Sequence, residues 1–222
     1  MARIAAVNNA FSEAERAAVY RAIDERRDVR ADFVADPVQP DVLARVLGAA
    51  HRAPSVGLSQ PWRFLVIGER ATREAVHALF TQANDSAARA YEGERAVTYR
   101  NLRLAGILDA PLGIAVFCDD APDRGAGLGR HTMPETARYA TVCAIENLWL
   151  AARAEGLGIG WVSIVDPSAL HAALGAPPEL ALVAYLCVGY VRAFAPEPDL
   201  ERDGWERRVP LADVVSYERF AG

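Results

Sequence analysis

The alternation of apolar and polar positions predicts a chain of helices interrupted by a few short strands. Ser12-Glu13-Ala14-Glu15 has the form of a capping box, the serine accepting from the amide three residues on while the glutamate reaches back, so a helix is expected from there to about Arg26. Asp36-Pro37 breaks the chain, and Pro40 followed by Val42, Leu43, Val46, Leu47 and Ala50 predicts a second amphipathic helix ending near His51. Pro54 to Pro61 reads as a loop and Arg63 to Ile67 as a short strand. Residues 71–108 carry helical periodicity with breaks near Asn84 and Gly93, which makes three helices, and Leu112 to Phe117 is the next strand. Asp119 to His131 is polar and glycine-rich and reads as a surface loop. The longest helix is expected from Pro134 to Glu155, its apolar face carrying Tyr139, Val142, Cys143, Ile145, Leu148, Trp149 and Ala152. Gly156 to Val165 reads as a turn and strand, Ser168 to Leu174 as a short helix and Leu180 to Val191 as a strand. Arg192 to Gly222 is rich in proline and charge and reads as an extended arm with little core of its own. This order predicts an α+β domain over residues 11–191 around a small sheet, followed by the arm over 192–222.

Composition narrows the chemistry. At 222 residues and 52% hydrophobic the chain is long enough for one sizeable core. A net charge of −5 argues against a nucleic-acid binder held by phosphate contacts. All 24 basic residues are arginine, so lysine Schiff bases, pyridoxal phosphate anchoring and a P-loop are excluded. Met1 to Asn9 lacks the apolar stretch of a secretory signal, and Arg138, Glu146 and Arg153 interrupt the longest helix too often for a membrane span, so a cytoplasmic protein is expected. Three cysteines without a Cys-x-x-Cys pair and four histidines without close spacing predict neither a disulfide framework nor a metal site.

Four places invite a chemical reading. Gly156-Leu157-Gly158-Ile159-Gly160 looks like a dinucleotide loop, yet it follows a helix and precedes a strand, the reverse of that motif; glycines turning a helix into a strand explain it better. In Arg26-Arg27-Asp28-Val29-Arg30, three guanidiniums within five residues can converge on one phosphate, the alternative being a solvated charged face. Ser163 is a hydroxyl in an otherwise apolar strand, where a buried hydroxyl needs a partner, either a neighbouring backbone group or a ligand. Cys143, among apolar neighbours, reads as a buried small hydrophobe rather than a nucleophile.

Taken together, Arg26-Arg27-Asp28-Val29-Arg30, Ala53-Pro54-Ser55-Val56-Gly57 with Gln60-Pro61-Trp62, and Ala151 to Gly156 leading to Gly160-Trp161-Val162-Ser163 resemble the nitroreductase-like flavoproteins. Within them the likeness is greatest to the flavin destructases, and it covers about residues 11 to 218. The resemblance implies an α+β fold with a central mixed sheet, and a homodimer in which each carboxyl-terminal arm wraps its partner. It implies FMN at the dimer interface, the phosphate held by Arg26, Arg27 and Arg30 and by Arg208 of Arg208-Val209-Pro210. Ser55, Val56, Gly57 and Gln60 match the loop that lines the isoalloxazine, and Tyr99 to Leu104 resembles a lid over the flavin, with Leu104 in contact. Ordinary nitroreductases carry serine where this chain has Asp28; the destructases carry aspartate, and Ser163 matches their serine near the reactive ring. The implied reaction is the dioxygen-dependent cleavage of reduced FMN, supplied by a separate flavin reductase, to 5,6-dimethylbenzimidazole and erythrose 4-phosphate. Asp28 would be the acid or base and Ser163 the hydrogen-bonding group. The alternatives are a nitroreductase that recycles FMN with NAD(P)H, and a flavin-binding protein without catalysis.

Overall fold

A computed structural model describes residues 10–220. Helix α1 (Glu13–Glu25) starts at the expected capping box: Ser12 Oγ accepts from the Glu15 amide at 3.3 Å, and Glu15 Oε2 accepts from the Ser12 amide at 2.8 Å. Helix α2 spans Pro40–His51, with Pro40 pre-set for the first turn. The remaining elements are β1 (Trp62–Ile67), α3 (Arg70–Ala88), α4 (Gly93–Asn101), β2 (Leu112–Asp119), α5 (Thr136–Ala154), β3 (Leu157–Val162), α6 (Pro167–Ala173), β4 (Leu180–Tyr190) and α7 (Asp199–Arg202).

The four strands lie in the order β1-β2-β4-β3, and every pair is antiparallel. The expected mixed sheet is therefore corrected: among the described residues its parallel component is a single isolated bridge, Asp28 to Ile159. Alternate strand residues face opposite layers. Ile114, Val116, Leu186 and Val188 pack under α2 and α5, whereas Ala115, Phe117, Tyr185 and Cys187 pack with Val76, Ile107, Leu170 and the 29–33 segment.

Between β1 and β2 there are two helices, not three. Asn84 does not break α3; its side-chain oxygen accepts from Tyr99 Oη at 2.8 Å and ties α3 to α4. The chain beyond Asn101 leaves the helix despite its apolar periodicity. There the buried Arg73 reaches from α3 and donates from Nη1 to the carbonyls of Ala110 (2.6 Å) and Ile107 (3.4 Å), a connection that suits non-helical backbone. Arg73→Met would leave both carbonyls without this charged donor. It is expected to destabilise the fold by about 2 kcal/mol, read as a lower urea midpoint at unchanged slope.

On α5 the expected Ile145, Leu148, Trp149 and Ala152 are buried, joined by the small Ala137, Ala140, Thr141 and Ala144. Cys143, expected to be buried, is exposed with Tyr139 and Val142 because the helical period turns them to the outer face. Helix α1 buries no residue and also presents Val19, Tyr20 and Ile23 to solvent. In the arm, Phe194 packs on the second core layer beneath the Arg153 guanidinium, 4.0 Å from its ring, and the chain is exposed from Glu206 to Phe220. Among the described residues no helix is long and apolar enough to cross a membrane.

Candidate active site

The arginine motif crosses β3 at the two glycines. Val29 donates its amide to the Ile159 carbonyl at 2.8 Å, and the Trp161 amide donates to Asp28 Oδ1 at 2.9 Å. A Cβ on Gly160 would overlap the Val29 carbonyl oxygen, and one on Gly158 would meet Val191 and Val29. Turning a helix into a strand thus falls to Gly156 alone, at φ 79°. Gly158 and Gly160 exist for close approach.

Asp28 Oδ2 accepts from Arg30 Nη2 at 2.7 Å and Nε at 3.1 Å, so its carboxylate is bracketed between the sheet and a guanidinium. Arg27 donates from Nη1 to the carbonyls of Asp24 and Arg26, and from Nη2 to that of Pro196 in the arm. Arg27 Nε and Arg30 Nη1 are buried without a hydrogen-bond partner among the described residues. Arg26 turns away, its guanidinium 4.9 Å from the Trp149 ring and 3.9 Å from Glu146. Two of the three expected guanidiniums therefore converge.

They line a cavity of about 660 Å³ with three walls: the 27–32 segment, Asn101 and Arg103 at the end of α4, and Ala193 to Pro196 with Asp199, Arg202 and Asp203 in the arm. Four arginines and four aspartates line it. Arg202 is satisfied by Asp199 (2.7 Å) and Asp203 (3.2 Å), and Arg30 by Asp28, which leaves Arg27 and Arg103 as the cations without a carboxylate partner among the described residues. Asp32 is likewise without an arginine partner among the described residues, so it is the guanidiniums of Arg27 and Arg103, not the lining as a whole, that an anion could engage. Arg103 lies in the expected lid, next to the half-buried Leu104 for which the flavin contact is expected, and that place in the lid is its signal in the sequence.

The other expected residues lie elsewhere. The 55–60 loop is tightly wound, with Gly57, Leu58 and Gln60 at φ 57°, 53° and 50°, and Ser55 Oγ accepts from the Gln60 amide at 3.1 Å. A Cβ on Gly57 would stand 2.9 Å from the Gly125 carbonyl oxygen, so the 119–131 loop, expected at the surface, is also the support of this one. Gln60 faces a separate hollow of about 450 Å³ with His51, Trp62 and Arg124, which shares no residue with the arginine-lined cavity. Ser163 is not in the strand: β3 ends at Val162 and the serine is exposed, so it needs no partner within the chain. Arg208 stands exposed in the arm. Burial pushes the Cys118 thiol up to about 11 and that of Cys187 up to about 12, so neither supplies a thiolate at neutral pH.

The family model "Nitroreductase family" matches residues 23–190, from the end of α1 to the end of β4. The chain belongs to the nitroreductase family. It is 52% identical over 185 residues to the 5,6-dimethylbenzimidazole synthase of Rhodospirillum rubrum, covering 83% of this chain and 87% of that one. It is 44% identical over 200 residues to the synthase of the same name from Rhodobacter capsulatus, covering 90% and 96%. Oxidised iodotyrosine deiodinase, crystallised with FMN and 3-iodo-L-tyrosine, superposes with a TM-score of 0.73 at 22% identity over 91% of this chain and 100% of the other. That likeness shows a shared fold.

Proposed function

We propose that this chain cleaves reduced FMN in a dioxygen-dependent reaction to 5,6-dimethylbenzimidazole, the lower ligand of cobalamin, and erythrose 4-phosphate. The observation that carries the reading is Asp28: it stands inside the arginine motif, braced by the Trp161 amide and Arg30, in a chain 52% and 44% identical to two synthases of that name. FMN fits the residues present, because the buried N–H groups at Arg27 Nε and Arg30 Nη1 lack acceptors that a phosphate supplies. Bound in reduced form, FMN supplies the electrons for dioxygen and the ring atoms of the product.

The chain's own residues orient and transfer protons. Arg27, Arg30 and Arg103 hold the phosphate end, and Asp28, placed near the ribityl chain, acts as the acid or base. Ser163 donates its hydroxyl toward the ring. The hollow beside Gln60 and the arginine-lined cavity are halves of one site, completed when Ser55 to Gln60 of a second copy faces the arginines of the first. Exposed Val19, Tyr20 and Ile23 on α1, exposed Tyr139 and Val142 on α5, and an arm exposed from Glu206 support such a homodimer, in which Arg208 joins the phosphate site and the arm wraps the partner. A separate cytoplasmic flavin reductase supplies reduced FMN.

Chromatography of the products from reduced FMN and air tests the reading. 5,6-Dimethylbenzimidazole is expected in proportion to the FMN consumed. Full recovery of FMN, with hydrogen peroxide or with continued NAD(P)H oxidation, would reject it.

A further inference from the structure

Two walls of the arginine-lined cavity are tied together by one side chain of the arm. Gly204, at φ 73°, closes α7, and the Trp205 amide donates to the Leu200 carbonyl at 2.8 Å, which turns the indole toward α4. There it meets Tyr91 edge-on (centroids 5.3 Å apart, planes at 82°) and Tyr99 at 6.0 Å, two rings stacked on each other at 4.6 Å. Arg95 closes the cluster from α4, its guanidinium 3.8 Å from the indole centroid while Nη1 donates to the Trp205 carbonyl at 2.7 Å.

Helix α4 has few other holds. Tyr99 is the only one of its nine residues that is buried, and both flanking segments are non-helical. Yet its end delivers Asn101 and Arg103 into the cavity. Trp205 is also the last described residue that is half-buried, three positions before Arg208.

We propose that Trp205 is a positioning residue, which locks α4 to the root of the arm so that the α4 wall and the arm wall of the cavity close on the bound flavin as one unit. The inference rests on the proposed function for what the cavity holds. The chemistry it protects is sensitive to water, so a loose α4 should let reduced FMN lose its electrons to dioxygen without ring cleavage.

The test compares Trp205→Ala, Trp205→Phe and Arg95→Met in the full chain, by hydrogen exchange over residues 93–101 with and without FMN, and by the fraction of reduced FMN that becomes 5,6-dimethylbenzimidazole. Trp205→Ala should lose the protection of α4 and lower that fraction about tenfold, the remainder appearing as oxidised FMN and hydrogen peroxide. Phenylalanine should restore most of both, since it keeps an aromatic ring against Tyr91 and Tyr99. Arg95→Met, which leaves the aromatic rings in place, should fall between, and it carries the test if Trp205→Ala does not fold. Unchanged exchange in α4, or an unchanged product fraction, would overturn the inference. A parent enzyme that forms no 5,6-dimethylbenzimidazole would sink the proposed function instead, and the exchange of α4 with FMN bound would still decide for or against the clasp.

Discussion

Asp28→Asn should yield a folded protein whose formation of 5,6-dimethylbenzimidazole from reduced FMN falls about 10²-fold or more. The carboxylate has two tasks in the structure. Oδ1 accepts from the Trp161 amide, and Oδ2 accepts two N–H groups from Arg30. Asparagine can keep the first through its amide oxygen, but it then presents an NH₂ group to the guanidinium, donor against donor. The pair is only partly shielded, the side chains being 14% and 30% exposed for Arg30 and Asp28, so the stability cost should stay near about 1 kcal/mol. Three measurements separate the roles: product by chromatography, hydrogen peroxide by a coupled assay, and FMN affinity by calorimetry. Intact affinity with peroxide replacing product is the expected result. Affinity lost in step with product, and reproduced by Arg30→Met, would make Asp28 an organiser of the arginines. Undiminished product would remove the distinction between aspartate and serine on which the functional assignment leans.

Gly160→Ala should be far more damaging than its size suggests, costing about 3 to 4 kcal/mol and weakening FMN binding at least about tenfold. The new Cβ would occupy the place of the Val29 carbonyl oxygen, a backbone atom that no rotamer change can move aside. Relief requires the 28–30 segment to lift from β3. That breaks the Val29–Ile159 hydrogen bond and withdraws the Trp161 amide from Asp28. Gly156→Asn is the control, since Gly156 has a positive φ but no atom within 4 Å of where a Cβ would stand, and asparagine tolerates that region. Urea unfolding of the two variants should differ by several-fold in free-energy loss. Equal losses would mean that the crossing at Gly160 is not tight.

Features carried by neighbouring residues can be read from the chain. The start of α1 is written in Ser12 and Glu15, and that of α2 in Pro40, because capping and a fixed φ act within one turn. What stays hidden depends on residues far apart. Asn84 looks like a helix breaker until Tyr99, across the turn, donates its hydroxyl to the Asn84 side-chain oxygen. Leu102 to Leu108 has a helical apolar rhythm, and only Arg73 of another helix shows why it does not form one. Gly158 and Gly160 read as turn glycines because the segment they admit lies some 130 positions earlier, at Asp28 and Val29. In the site, the motif identifies Arg27, Asp28 and Arg30 correctly as neighbours, but the sidechain direction of Arg26 is set by Trp149 and could not be read from a run of like charges. Ser163 misleads for a smaller reason: a strand end is the least certain part of any apolar run, and one residue separates buried Val162 from solvent.

The order of the sheet also constrains when the protein can form. β4 is the last strand to be synthesised and yet lies between β2 and β3, holding both by antiparallel ladders, and no two adjacent strands are joined by a tight hairpin. Until Tyr190 has left the ribosome, β3 has no strand to pair with and β2 keeps one open edge. Chain closure must precede the reward of pairing, which makes folding slow and exposes apolar edges on the way. The nascent chain can pair β1 with β2 early but completes its sheet only in a late step, and synthesis that stops before β4 leaves β3 without a strand to join.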